Sequence, residues 1–76
     1  MNKSRRQELK LIISELEEIQ TRIEMVKDEE SDAFENLPDG IKYSEKGEKM
    51  SENVETLNDV YDSIFDIIDS INETID

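Results

Sequence analysis

The chain has 76 residues, with 21 acidic and 9 basic side chains and a net charge of −12. That length allows one domain at most, and 34% apolar against 39% charged residues gives a single copy only a thin core. The absence of cysteine and histidine removes disulfides, thiolate metal sites and the commonest general base. The acidic balance argues against direct binding of nucleic acid or an anionic membrane, which both require an excess of Lys and Arg.

The basic start, Met1-Asn2-Lys3-Ser4-Arg5-Arg6, leads into Leu11-Ile12-Ile13, which Ser14 and Glu15 interrupt before any signal-peptide length is reached. Later apolar runs are pairs such as Ile64-Phe65 and Ile67-Ile68, far short of a membrane span. A soluble, cytoplasmic protein is the expectation.

A first helix is predicted over about residues 4–35. Leu9, Ile12, Leu16, Ile19, Ile23, Val26, Glu30, Ala33 and Leu37 recur at steps of three and four, the a and d positions of a heptad abcdefg. Glu30 is the one charged member, and Lys46 or Lys49 across the turn are its expected partners. A turn over about 36–43 follows from Asn36-Leu37-Pro38-Asp39-Gly40, which fits a type I turn with Pro38 in its second place. The second helix is predicted over about 44–75, with Ser44 as N-cap and Glu45 and Glu48 favourably placed against the helix dipole. Its seam reads Tyr43, Gly47, Met50, Val54, Leu57, Tyr61, Ile64, Ile68, Ile71 and Ile75.

The short connection makes the helices antiparallel, so the expected fold is all-α: a coiled-coil-like two-helix hairpin in a single domain. Ile13, Phe34, Val60, Phe65 and Ile67 lie beside the a/d line and widen the apolar stripe beyond what two helices bury. Those five residues are the predicted oligomer interface, joining two hairpins in a homodimeric four-helix bundle.

Charge is unevenly placed. Residues 1–10 carry Lys3, Arg5, Arg6 and Lys10 against Glu8, and residues 51–76 carry eight acids and no base. In a hairpin the basic start lies beside the acidic end, a pairing expected to help set register. Glu52, Glu55, Asp59, Asp62, Asp66, Asp69, Glu73 and Asp76 alternate at steps of three and four, at heptad positions f and b. They form one outward column with a carboxylate roughly every 5 Å. Like charges at these spacings cost about 0.2–0.5 kcal/mol per pair, so seven successive pairs cost about 1.4–3.5 kcal/mol before screening. A merely soluble face could avoid that cost by mixing Glu with Lys. Glu52 through Glu73 are therefore the predicted contacts for a basic protein surface.

Other chemistry finds little support. Asp28-Glu29-Glu30-Ser31-Asp32 lacks the spacing and glycine of a calcium loop, and a di-metal bundle site would want histidine. Ser51, Thr56, Ser63, Ser70 and Thr74 have no neighbouring base to activate them. No enzyme activity, metal or cofactor is expected.

The run Phe34-Glu35-Asn36-Leu37-Pro38-Asp39-Gly40-Ile41, then Tyr43-Ser44-Glu45 and Gly47-Glu48 before an acidic heptad helix, resembles small acidic helical-hairpin proteins encoded by phages and prophages of Gram-positive bacteria. The resemblance runs from about residue 15 onward, although this chain uses Ile, Phe and Asp where Ala and Glu are commoner in that group. It carries no residue-level function. It implies a phage setting, with host nucleic-acid-handling or defence machinery as the target. The acidic column itself points to a basic partner surface, inhibited or sequestered in the manner of an approximate nucleic-acid mimic. A structural module acting through its apolar stripe, and an oligomer that sequesters a small ligand, are the alternatives.

Overall fold

The computed structural model describes every residue from Met1 to Asp76. Helix α1 spans Lys3–Glu35, α2 is a single turn at Asp39–Lys42, and α3 spans Glu45–Ile75. α1 and α3 run antiparallel along a rod of 59 × 15 × 12 Å. No helix is long and apolar enough to cross a membrane.

The ends of the helices have local causes. The Asn2 side chain accepts from the Arg5 N–H at 2.9 Å and starts α1, a cap the sequence reading did not single out. At the other end the Asn36 N–H donates to the Asp32 carbonyl, and Pro38 keeps Leu37 from continuing the helix. The Pro38 carbonyl then accepts from both Ile41 and Lys42 N–H at 2.9 Å. The Pro38-Asp39-Gly40 break is thus a short helical turn rather than an isolated type I turn. Ser44 occupies the N-cap place of α3, but its hydroxyl donates back to the Ile41 carbonyl and caps nothing. Glu45 and Glu48 sit in the first turn of α3 as expected.

The core lies in the half of the rod away from the tip. Ile13, Ile64 and Ile68 are buried, with Leu16, Ile23, Ile71 and Ile75 packed around them. Each such side chain contributes about 1.5–3 kcal/mol when fully removed from water. The α3 seam from Gly47 to Ile75 is buried or half-buried at every predicted position, whereas Tyr43 is 82% exposed and lies outside it.

α1 is rotated from its predicted phase. Its inward column is Ile13, Gln20, Lys27 and Phe34, which with Leu9, Leu16, Ile23 and Glu30 occupies heptad positions e and a. Ile19 and Val26, expected in the seam, are 43% and 54% exposed, and Ala33 is exposed as well. The rotation brings Ile13 and Phe34 inward at the two ends, leaves Ile12 half-buried and Ala33 outside, and seats Gln20 at the centre. Gln20 is 5% exposed, and its side-chain amide donates to the Tyr61 carbonyl at 3.0 Å. That bond satisfies a polar group whose burial would otherwise cost about 1–3 kcal/mol.

The tip closes on Gly47, which is buried. A Cβ there would lie 2.0 Å from the Lys42 carbonyl oxygen and 2.8 Å from that of Ile41. Both are backbone atoms, so the α2–α3 junction must move to admit one. Gly47→Ala gains about 1 kcal/mol of helix propensity, but overpacking of this kind costs about 1–3 kcal/mol. The variant is expected to melt several degrees below wild type by circular dichroism; an unchanged or raised Tm would show that the junction is loose.

Candidate functional site

The acidic column of α3 stands on the surface the sequence reading assigned to it. Glu52, Glu55, Asp59, Asp62, Asp66, Asp69, Glu73 and Asp76 are all exposed. Positions f and b point away from an a/d seam, so burying Tyr61, Ile64 and Ile68 turns these carboxylates outward. From Glu52 to Glu73 the ridge is about 32 Å long at 1.5 Å per residue.

No ridge carboxylate is neutralised within the chain. The ion pairs are Lys27 with Asp28 at 3.6 Å and Lys42 with Glu35 at 3.3 Å, both in the tip half. The expected pairing of the basic start with the acidic end of α3 does not form, because those acids face outward. Register rests instead on the isoleucine core, on Gln20 to Tyr61 and on Glu30 to Asn53. The Asn53 amide donates to the Glu30 carboxylate at 2.9 Å, so Asn53 holds Glu30 where Lys46 or Lys49 was expected. No three carboxylates converge as an ion would require, and Asp28, Glu29 and Asp32 splay around the helix.

The five residues predicted for an oligomer interface go to four places. Ile13 is 8% exposed inside the hairpin core, because α1 is rotated toward α3. Phe34 is half-buried at the tip, with the Lys42 ammonium 5.6 Å from its ring centre. Lys42 itself is half-buried on that ring and paired to Glu35. Phe65 is 47% exposed and packs edge-on against Tyr61, ring centres 5.3 Å apart, on the e flank of α3. Only Val60 and Ile67 share the g flank, 38% and 49% exposed.

That g flank adjoins the residues α1 turned outward. Ile19 and Val26 line a groove with Leu57, and Val26 reaches a second groove with Asn53 and Thr56. Ile67, Ser70 and Thr74 line a third with Leu9 and Ile71. The sequence signal for this arrangement was the column at sevenfold spacing, Ile13-Gln20-Lys27-Phe34, bracketed by two large apolar residues.

Tyr61 carries the one perturbed ionisation. Partial burial holds its phenol above the ordinary 10.0, the Glu24 carboxylate adds to this as hydrogen-bond partner and as a charge, and Asp62 adds its charge. The chain matches no family model, no curated protein and no solved structure.

Two measurements follow from this surface. Raising NaCl from ~10 mM to ~1 M shortens the Debye length from ~30 Å to ~3 Å and screens the ridge's self-repulsion. Tm is expected to rise, and to rise less in Asp62→Asn/Asp66→Asn; an equal rise in both would remove ridge repulsion as the cause. In a Tyr43→Phe background the remaining phenol is expected to titrate above 10, and Glu24→Gln to lower its midpoint. Because the folded state keeps this proton after the unfolded chain has lost it, its stabilisation is complete below pH 10 and disappears as pH rises through the folded-state value. A midpoint indifferent to Glu24→Gln would break that link.

Proposed function

We propose that the protein is a non-enzymatic acidic interaction protein whose α3 ridge occupies a basic surface on a host factor, in competition with that factor's nucleic acid. The observation that carries this reading is a 32 Å row of exposed carboxylates with no internal counter-charge, kept at a cost of about 1.4–3.5 kcal/mol in self-repulsion. A rigid helix presents them at fixed intervals, so a basic groove meets an ordered charge track. One DNA strand carries a charge about every 3.4 Å, so a carboxylate roughly every 5 Å is a sparser track that approximates it. Such binding is steered over long range and weakens steeply with salt. The resemblance of the tip to phage-encoded hairpins supports a host protein as the target.

The alternative is a structural module that works through its apolar flank, and exposed Ile19, Val26, Val60 and Ile67 favour it. The two readings separate in one experiment. Immobilised wild type and a variant with Asp59, Asp62, Asp66 and Asp69 all changed to Lys are exposed to bacterial lysate at low and high salt, with and without competing duplex DNA. The ridge reading expects partners that wild type retains at low salt, that salt or DNA releases, and that the charge-reversed variant does not hold while its far-UV helical signal persists. Retention of the same partners by both proteins would overturn it.

A further inference from the structure

We infer that α3 contains a joint: residues 51–60 open locally away from α1 while the isoleucine core beyond Tyr61 stays closed. This inference stands whether or not the ridge has a partner.

The first support is the distribution of apolar burial. Ile13, Ile64 and Ile68 are buried on the far side of Gln20 and Tyr61, with Leu16, Ile71 and Ile75 packed around them. Between that core and the tip no side chain is buried: Lys27 and Glu30 of α1 and Met50, Asn53, Val54 and Leu57 of α3 are half-buried. A groove of about 400 Å³ lies open there, with Val26, Glu30, Asn53 and Leu57 in its walls. A stretch with few buried apolar contacts opens at a lower free energy than one that closes a core.

The second support is what joins the helices across this stretch. Lys27 pairs with Asp28 on its own helix and Lys42 with Glu35 at the tip, so neither ion pair links α1 to α3. Among the α3 residues before Tyr61, only Asn53 hydrogen-bonds an α1 side chain, donating from its amide to the Glu30 carboxylate at 2.9 Å. The groove gives water access to both groups, so parting them orphans neither.

The third support is helix propensity. Of residues 51–60 only Glu52, Glu55 and Leu57 are strong helix formers, and Glu55 lies at repelling spacings from both Glu52 and Asp59. This stretch is therefore helical through packing rather than by itself. The facing stretch of α1 carries Glu24, Met25, Lys27, Glu29, Glu30 and Ala33, all strong formers, so α3 is the helix that yields. Residues 61–75 are no better formers than 51–60, but the core holds them. The opening is bounded on both sides: Gly47 is seated against the Lys42 carbonyl, and the Tyr61 carbonyl is held by Gln20.

The ridge is then in two parts. Asp62, Asp66, Asp69 and Glu73 are backed by the core, whereas Glu52, Glu55 and Asp59 sit on the joint and turn with it. The closed rod predominates, so the row is straight at rest and its tip-side part can follow a curved surface.

Amide hydrogen exchange followed by NMR reads the joint residue by residue. After correction for intrinsic rates, the amides of residues 55–60 are expected to exchange at least about tenfold faster than those of 64–71. Their urea dependence is expected to be weaker, because a local opening exposes little surface. Ile68→Val is expected to speed exchange at 64–71 several-fold and to leave 55–60 unchanged, since the joint opens without the core. Equal protection of the two stretches in wild type would overturn the joint. So would a common acceleration of both in Ile68→Val, or faster exchange in residues 24–33 of α1 than in the stretch they face.

Discussion

The side-chain amide of Gln20, held against the main-chain carbonyl of Tyr61, sets the rotation of α1 about its own axis. A glutamine that is 5% exposed must be hydrogen-bonded or destabilise the fold, and this one is placed where the carbonyl can take a second donor. Once Gln20 points inward, the positions seven residues away on either side follow it. Ile13 enters between Ile64 and Ile68, Lys27 is drawn half inside, and Phe34 covers the tip beneath Lys42. The opposite consequence is equally fixed: Ile19 and Val26 must leave the seam. The bond thus orders the inner contacts of the hairpin and creates the apolar stripe on its flank.

α3 answers that arrangement by separating its surfaces. Its a and d positions serve the core, its f and b positions hold only acids, and its g and c positions hold no charge from Asn53 to Thr74. One helix therefore presents an acidic side and an uncharged side. The isoleucine core supports the far half of the rod, whereas the tip half depends on specific polar contacts: Glu30 with Asn53, Lys42 with Glu35, and Gly47 against the Lys42 carbonyl. A long anionic row needs a stiff backbone to remain a row. The two-helix rod provides it with little buried area.

The helices, their break and the α3 seam were legible in the sequence because each had a single physical signal. Pro38 and Gly40 interrupt the pattern, and the a/d line of α3 runs unbroken from Gly47 to Ile75, with Val60, Phe65 and Ile67 on its flanks. The outward acidic column was legible for the same reason, being locked to that line. The phase of α1 was not, because adjacent pairs compete. Ile12 and Ile13 are equally apolar, so they do not choose, while Ile19 beside Gln20 and Val26 beside Lys27 favour the wrong member on hydrophobicity alone. Only the partner helix resolves this, through a carbonyl that accepts the Gln20 amide and a pair of isoleucines that accept Ile13. Tyr43 was misread likewise: it continues the spacing of α3 but lies before its first turn, and is 82% exposed.

The phase of α1 is the claim on which the inner contacts of the hairpin rest, and methyl-labelled NMR reads it directly. Nuclear Overhauser contacts are predicted from the Ile13 methyls to those of Ile64 and Ile68, together with slow exchange of the Gln20 side-chain amide protons. Contacts to Ile64 and Ile68 from Ile12 instead, with a solvent-exchanging Gln20 amide and the Ile19 methyls against Tyr61, would contradict the account.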